Sequence, residues 1–201
     1  MKINSDIKNI IFDLGGVILN IDYNLTIKEF KKLGINNFEN IFSQFKQSNF
    51  SDKFETGDIS EHEFYKEIKK ATNTSFTFNE FKKAWNAMLL DLPKDRIALL
   101  KKLSTDYRLF LFSNTNETHY KKFHENVEND FNEIFEKTYY SHLFGNRKPT
   151  VNSFQKIVQE NNLKVKETLF IDDSKQHIIG AEKAGIKALL IDKSTIESIF
   201  K

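Results

Sequence analysis

The chain has 201 residues, 39% of them hydrophobic and 29% charged, which is enough for one full globular core and a smaller inserted unit. Its 30 basic and 28 acidic residues give a net charge of +2 and are interspersed, so the charge pattern does not indicate a nucleic-acid partner. The absence of cysteine excludes disulfides, thiolate catalysis and zinc–thiolate sites.

No membrane-targeting signal is evident in the sequence. No apolar stretch approaches the roughly 20 residues that a helix needs to cross a bilayer. The first apolar run is short and ends at Asp13, which does not fit a secretory signal. We therefore expect a cytoplasmic protein with no membrane partner.

The first predicted element is a short strand, formed by the apolar run from Ile10 to Phe12 and ending at Asp13. A continuous apolar run without alternation is typical of a strand that is buried on both faces of a parallel sheet. The run therefore predicts a central strand of an α/β sheet.

The segment from about residue 20 to residue 86 is predicted to be a small helical domain, inserted after the first strand. Its apolar residues recur at helical spacing, as do Phe78 and Trp85, and it holds no run typical of a buried strand. The remaining residues, 1–19 and 87–201, are assigned to the core.

Helices and strands alternate in the rest of the chain. Pro93 is predicted to open a helix with Leu100 and Leu103 on its apolar face. The later elements are strand Leu109–Phe112 ending at Ser113, a helix around Phe154–Val158, strand Leu169–Ile171 ending at Asp172 and Asp173, a helix from Ser174 to Gly185, and strand Ala188–Ile191. This alternation predicts an α/β fold with a doubly wound parallel sheet.

Three predicted strands end in residues that can carry phosphate chemistry: Asp13, Ser113 and the pair Asp172–Asp173, with Lys148 in a nearby loop. In open parallel sheets, ligands bind at the carboxyl ends of the strands. Converging carboxylates repel one another and need a cation, and oxygen ligands without His or Cys favour Mg²⁺ over zinc. A carboxylate beside such a cation can attack phosphorus and form an aspartyl-phosphate.

Four segments resemble, in order, the four motifs of the haloacid dehalogenase (HAD) family: Phe12–Val17, Ser113–Thr115, Arg147–Pro149 and Phe170–Ser174. The resemblance covers essentially the whole chain and implies a Rossmann-like core with a small inserted α-helical cap. It also implies a Mg²⁺-dependent phosphatase that acts on a small phosphorylated substrate. We expect a monomer or a weak dimer.

The resemblance implies a role for each motif residue. Asp13 is the nucleophile and a Mg²⁺ ligand, the Gly15 carbonyl is a second metal ligand, and Asp173 with Asp172 completes the metal site. Ser113, the Asn114 N–H and Gly16 hold the phosphoryl group, and Lys148 lies between the nucleophile and the phosphate.

Gly15 departs from the pattern of the family's phosphatases. They usually carry a second Asp at this position as the general acid and base, a function worth roughly 10²–10⁴-fold in rate. A backbone carbonyl remains available to the metal, but the proton-transfer group is missing. Asp22 is one candidate replacement, and a solvated hinge residue is the alternative interpretation of Asp22.

One sub-branch of the family shares the Asp-Leu-Gly pattern and includes sugar-phosphate phosphatases that resemble bacterial glucose-1-phosphatase. Two further stretches of this chain, Phe54–Ser60 and Ser113–Asn116, are similar to these proteins. The similarity implies a sugar phosphate as the substrate. An anomeric leaving group would also need less protonation.

Three other functions compete with a phosphatase. A two-component receiver domain uses similar groups but places its acidic pair near the first strand, so the motif order here argues against it. A dehalogenase of the same fold needs no metal and no pair of carboxylates in its last motif, so the pair Asp172–Asp173 favours phosphate chemistry. The third alternative is a non-catalytic or weakly active protein that binds phosphate or a partner, because Gly15 replaces the acid.

The histidines and the one tryptophan are not predicted to take part in chemistry. The five histidines form no spaced pair on a helical face and are predicted to lie on the surface, with a ligand role for His119 as a minor alternative. Trp85 is predicted to pack in the core of the cap.

Overall fold

The computed structural model describes residues 5–47, 49–191 and 195–200, apart from the side chains of residues 43–47. Its sheet has five parallel strands in the order β3-β2-β1-β4-β5. They are β1 (Asn9–Phe12), β2 (Arg108–Ser113), β3 (Lys137–Tyr140), β4 (Thr168–Asp172) and β5 (Lys187–Leu190). The predicted α/β fold with a parallel sheet is confirmed.

The central strand β1 is buried along its whole length, with Ile10 aligned to Leu109 of β2 and to Leu169 of β4. Its side chains alternate between the two faces of the sheet. Ile10 and Phe12 pack in one apolar cluster, and Ile11 packs in another on the opposite face. Apolar contacts on both faces explain why the sequence of β1 does not alternate.

Helices cover both faces of the sheet. They are α6 (Lys94–Leu103), α7 (Glu117–Ile134), α8 (Ser141–Phe144), α9 (Val151–Glu160), α10 (Lys175–Lys183) and α11 (Ile196–Ile199). Leu100 and Leu103 of α6 belong to the cluster of Ile10, whereas Phe154 and Ile157 of α9 belong to the cluster of Ile11. The sheet is therefore doubly wound.

Five helices lie between β1 and α6 among the residues that the structure describes. They are α1 (Tyr23–Lys32), α2 (Phe38–Gln47), α3 (Phe50–Thr56), α4 (Glu61–Thr72) and α5 (Phe78–Asn86), and we call them the cap helices. They share an aromatic cluster that includes Phe30, Phe64, Phe81 and Trp85. We propose that they form the cap expected for residues 20–86, with residues 1–19 and 87–201 as the core.

The segments that enter and leave the cap helices run side by side. The Asn20 N–H donates to the Asp91 carbonyl (3.0 Å), and the Asp22 N–H donates to the Met88 carbonyl (2.9 Å). Ile21 and Leu89 form an antiparallel bridge between these two bonds. The insert thus begins and ends at neighbouring points of the core.

Across the part of the chain that the structure describes, no helix combines the length and the apolar character that a membrane crossing requires.

Candidate active site

The strand order brings the predicted site residues to one edge of the sheet. β1 lies between β2 and β4, so Asp13 follows the central strand while Ser113 and Asp172 end its two neighbours. The Asp13 N–H donates to the Ile171 carbonyl (2.9 Å), which continues the β1–β4 ladder up to the site. All three side chains are buried.

Lys148 is the centre of the charged cluster. Its Nζ lies 2.7 Å from Asp13 Oδ1 and 2.7 Å from Asp172 Oδ2, and its side chain is 0% exposed. The ammonium also lies 5.4 Å from the ring centroids of Phe112 and Phe170. A lysine is rarely buried to this degree unless it is paired, so its two carboxylate partners account for its position.

The cluster shifts the pKa values of its members. Burial and the neighbouring Asp172 carboxylate raise the pKa of Asp13 to about 7, although Lys148 opposes the shift. Burial lowers the pKa of Lys148, but the attraction of Asp13 and Asp172 outweighs it and the net shift is upward. Burial also raises the pKa of Asp173, and the charge of Asp172 adds to this effect. In the absence of a further cation, this edge of the sheet thus has an excess of negative charge.

The two acidic residues after β4 have different surroundings. Asp172 is fully buried, and besides Lys148 it accepts from the Ser174 N–H (2.8 Å). Ser174 occupies the N-cap position of α10 as predicted, but its side chain makes no capping bond, and Asp172 supplies the acceptor instead. Asp173 is exposed, and its Oδ2 lies close to Gly16 in the loop after β1.

His177 also reaches the cluster, which the sequence did not reveal. Its Nδ1 lies 2.9 Å from Asp172 Oδ1 and 3.0 Å from Asp172 Oδ2, and the side chain is 18% exposed. A nitrogen that faces two carboxylate oxygens carries a proton, so Nδ1 is the donor. The sequence feature that could have identified His177 as a site residue is its position in the first turn of the helix that follows Asp172 and Asp173.

The donor set at this edge fits a hard divalent cation. Asp13, Asp172 and Asp173 bring three carboxylates together, and Lys148 can balance only one of them. Ligand atoms of Asp13, Asp172 and His177 lie within 4.8 Å of one another, but the proton on His177 Nδ1 makes that nitrogen a donor to Asp172 and not a metal ligand. Carboxylate and carbonyl oxygens are the ligands that Mg²⁺ prefers. Asp13, Asp173 and the Gly15 carbonyl remain the proposed metal ligands, with Asp172 at the metal directly or through water.

The two glycines after Asp13 make different demands on the backbone. Gly16 has a φ of +75°, and a Cβ at this position would lie 2.1 Å from Asp173 Oδ2. Gly15 is not among the residues with positive φ, and a Cβ there would first meet the end of the Ile21 side chain at 3.3 Å. Position 16 therefore requires glycine, whereas position 15 does not.

Asn114 joins the loop after β2 to the loop that carries Lys148, which we call the lysine loop. Its Nδ2 donates to the Lys148 carbonyl (2.9 Å), and its Oδ1 accepts from the Lys148 N–H (2.9 Å). The next residue, Thr115, makes two hydrogen bonds of 2.9 Å with the Ser141 hydroxyl. Both polar atoms of the Asn114 side chain are thus occupied in holding the loop. The backbone N–H of Asn114 remains the group proposed to bind a phosphoryl oxygen.

A cavity of about 370 Å³ lies between the cap helices and the loop after β2, and Tyr23, Glu55, Trp85 and Asn114 are among its lining residues. Trp85 is thus both part of the cap cluster, as predicted, and part of the cavity wall. The cavity adjoins the charged cluster through Asn114, which is bonded to Lys148.

His119 is buried in this wall, so its predicted surface position is wrong. Its ring stacks on Trp85 with centroids 5.5 Å apart, and its Nε2 lies 3.1 Å from the Trp85 carbonyl. Burial lowers the pKa of His119 to about 4, so the ring is neutral at pH 7. Nε2 must then carry the proton, and Nδ1 accepts from Asn116 Nδ2 (3.1 Å). These contacts indicate a structural histidine rather than a ligand.

Ion pairs connect the cap helices to the core beside the cavity. Arg147, next to Lys148, contacts Asp52 Oδ1 through Nη1 (2.8 Å) and Glu55 Oε2 through Nε (2.8 Å). Lys121 of α7 contacts Glu61 of α4 at 2.9 Å. The lysine loop therefore contacts both the catalytic edge and helix α3 of the cap.

Comparison with solved structures finds the same fold in bacterial enzymes. A HAD family enzyme from Bacteroides thetaiotaomicron, crystallised with magnesium and inorganic phosphate, is 32% identical, with a TM-score of 0.86 over 97% of this chain and 100% of that one. A HAD-like family hydrolase from Porphyromonas gingivalis is 28% identical, with a TM-score of 0.85 over 97% of each chain.

Comparison of sequences agrees with these structures. A D-ribitol-5-phosphate phosphatase from Bacteroides thetaiotaomicron is 29% identical over 181 residues, which is 88% of each chain. The model of the haloacid dehalogenase-like hydrolases matches residues 10–191. Together with the charged cluster at the carboxyl edge of a parallel sheet, this match shows that the chain belongs to the haloacid dehalogenase-like hydrolase family.

Proposed function

We propose that the chain is a Mg²⁺-dependent phosphatase that hydrolyses the monophosphate of a sugar or a sugar alcohol through a phosphorylated Asp13. The observation that carries this proposal is the buried Lys148, 2.7 Å from both Asp13 and Asp172 and close to the exposed Asp173. The similar D-ribitol-5-phosphate phosphatase supports the substrate class.

In the proposed reaction, an Asp13 oxygen attacks phosphorus, and the ester bond to the substrate oxygen breaks as the new P–O bond forms. Lys148 compensates the charge that accumulates between Asp13 and the phosphoryl oxygens. Ser113 and the Asn114 N–H hold these oxygens, and Gly16 leaves room for them. Water then attacks the phosphorus atom, the bond between phosphorus and the Asp13 oxygen breaks, and phosphate and the Asp13 carboxylate are released. The proton that this water loses balances the proton that the departing alcohol oxygen gains from solvent.

Bound Mg²⁺ would neutralise negative charge on Asp13, Asp173 and the phosphate and so allow these anions to approach one another. The alternative is a non-catalytic or weakly active protein that binds phosphate or a partner, and the presence of Asp13, Lys148 and Asp173 together argues against it. We therefore propose a phosphoric monoester hydrolase.

Removal of Mg²⁺ tests the proposal directly. We expect excess chelator to reduce phosphate release from a pentitol phosphate to background, because three carboxylates and the substrate phosphate then share only Lys148. Addition of Mg²⁺ should restore the rate. The control is the same concentration of chelator that was saturated with Mg²⁺ beforehand. Undiminished activity in free chelator would refute the metal requirement.

A series of leaving groups tests the consequence of Gly15. Without an acid at this position, the leaving oxygen departs with more negative charge, so wild-type rates should rise with the acidity of the alcohol. Aryl and anomeric phosphates should exceed primary alkyl phosphates. Rates are compared under conditions in which the chemical step limits turnover. A flat series would show that another group already delivers the proton.

Two substitutions sharpen this test. A Cβ at position 15 would lie 3.3 Å from Ile21 Cδ1 and 3.8 Å from Ile21 Cγ2, so a small shift of Ile21 accommodates Gly15→Asp. This variant should raise alkyl phosphate rates most, by up to about 10²-fold. Asp22 is the N-cap of α1, and its Oδ1 accepts from the Asn24 N–H at 2.9 Å. Asp22→Asn preserves this bond and should leave the rates unchanged. A selective loss on alkyl phosphates would instead identify Asp22 as the acid.

A further inference from the structure

Tyr23 lies where the cap helices meet the catalytic edge of the sheet. It is the first residue of α1, and Ile21, two residues earlier, forms the antiparallel bridge with Leu89 that fixes the start of α1 on the core. Ile21 also reaches the loop after β1, since a Cβ at Gly15 would lie 3.3 Å from its Cδ1. The start of α1 is therefore held beside the loop that follows Asp13.

The phenol of Tyr23 is available to a ligand and lies within electrostatic reach of the acidic cluster. Tyr23 is exposed and forms part of the cavity wall, as Asn114 does. The surrounding protein desolvates the hydroxyl and so raises the pKa of Tyr23 to about 12, and the charges of Asp173 and Asp13 add to this shift. At neutral pH the phenol is thus protonated and can donate a hydrogen bond.

This position coincides with the expected place of the substrate's ester oxygen. The phosphoryl group is proposed to bind beside Asp13, at Ser113 and the Asn114 N–H. The cavity of about 370 Å³ adjoins this point and is of a size that holds small molecules. The ester oxygen joins the phosphoryl group to the alcohol, so it lies at the border between the acidic cluster and the cavity. Tyr23 is near the cluster and lines the cavity, and so it borders on both.

The ester oxygen needs a hydrogen-bond donor, because Gly15 supplies none. Negative charge develops on this oxygen as its bond to phosphorus breaks, and a donor already in place stabilises that charge. A neutral phenol can act in this way and keep its own proton. The departing oxygen then takes its proton from solvent, as in the proposed reaction.

We propose that Tyr23 is a further catalytic residue, whose hydroxyl donates a hydrogen bond to the ester oxygen while the bond between this oxygen and phosphorus breaks. The proposal rests on the proposed function, because it takes Asp13 as the nucleophile. It adds a group that compensates in part for Gly15 and that belongs to the cap helices. Because the hydrogen bond delivers no proton, rates still rise with the acidity of the alcohol.

The experiment measures the effect of Tyr23→Phe along a series of leaving groups: 4-nitrophenyl phosphate, phenyl phosphate and a pentitol 5-phosphate. The variant keeps the ring and removes only the hydroxyl. With Mg²⁺ present and the chemical step limiting, kcat should fall by at least about tenfold for the pentitol phosphate, whose leaving oxygen carries the most charge. For 4-nitrophenyl phosphate it should fall by about twofold or less, because the ring disperses the charge, and phenyl phosphate should lie between.

Tyr107→Phe is the matched control. Tyr107 directly precedes β2 and so lies at the opposite edge of the parallel sheet from the site. Its substitution should leave all three rates unchanged. Because Tyr23 is exposed, both variants should unfold at the temperature of the wild type, which attributes any loss to the site.

The aryl phosphates separate failure of this proposal from failure of the proposed function. If wild type hydrolyses no member of the series faster than Asp13→Asn does, the proposed function fails. If the aryl phosphates are hydrolysed but Tyr23→Phe slows both by the same factor, or slows neither, the hydroxyl does not act on the leaving oxygen and the proposal for Tyr23 is overturned. A rise in KM with unchanged kcat overturns it as well, because the hydroxyl then only binds the substrate.

Discussion

Replacement of Asp13 by Asn is expected to reduce turnover to background, a loss on the order of 10⁴-fold or more, as when other covalent nucleophiles are removed. The amide keeps the shape of the side chain, but it lacks the anionic oxygen that must attack phosphorus. Steady-state phosphate release gives the rate. Mass spectrometry after an acid quench should find phosphorylated Asp13 in the wild type alone.

The loss of turnover should not arise from unfolding. The pKa of Asp13 is raised to about 7, chiefly by burial, so its ionised form is disfavoured in the folded protein. The protonated Asp13 side chain contributes to the free energy of unfolding at pH values below the pKa of an unfolded Asp, and this contribution is lost as the pH rises through 7. Above pH 7, the Asp13→Asn substitution therefore should not lower the free energy of unfolding of the metal-free protein. Near-normal turnover by this variant would rule out the covalent mechanism.

Replacement of Lys148 by Met is expected to abolish activity and also to lower stability. The ammonium is fully buried between Asp13 and Asp172. Its removal takes the ion-pair partner from both carboxylates and leaves Asp172 with only its hydrogen bonds from Ser174 and His177. Loss of one partner of a buried ion pair destabilises a protein by about 3–5 kcal/mol. Urea denaturation of the metal-free protein measures this change. The same loss raises the pKa of Asp13 further and so removes the nucleophilic anion at neutral pH.

A second substitution separates charge balance from packing. The double variant Lys148→Met, Asp172→Asn removes one positive and one negative charge, so it should regain most of the lost stability but none of the activity. Lys164→Met is the surface control, because Lys164 is exposed and lies 3.3 Å from Glu167. It should change neither property. If Lys148→Met were as stable as wild type, the buried ammonium would not be what holds the carboxylates together.

The central strands and the edge of the sheet that carries the site could be predicted from the sequence. A strand that is buried on both faces appears in the sequence as an uninterrupted run of apolar residues. The runs around Ile11, Phe110 and Phe170 are apolar throughout and end where the chain reaches the site. The edge strand β3 was missed because it begins with the exposed Lys137 and has no continuous apolar run. An edge strand has only one neighbouring strand and tolerates polar residues.

Helix α7 was also missed, although its buried residues Phe123, Val127 and Phe131 recur at helical spacing. The many charged residues between them made the helical spacing of these apolar residues difficult to recognise in the sequence. The contacts of His177 with Asp172 and of Arg147 with Asp52 depend on how helices pack on the sheet, and short-range spacing does not encode them. The cavity is likewise formed by segments that are distant in the chain.

The position of Trp85 gives the protein an internal optical probe. It is the one tryptophan of the chain, it is only 6% exposed, and its indole N–H lies 3.3 Å from Asn116 Oδ1. Excitation of tryptophan thus reports on a single residue, at the junction of a cap helix and the loop that follows β2. Fluorescence emission then distinguishes ligands that fill the cavity from ligands confined to the metal edge, without any label and without turnover.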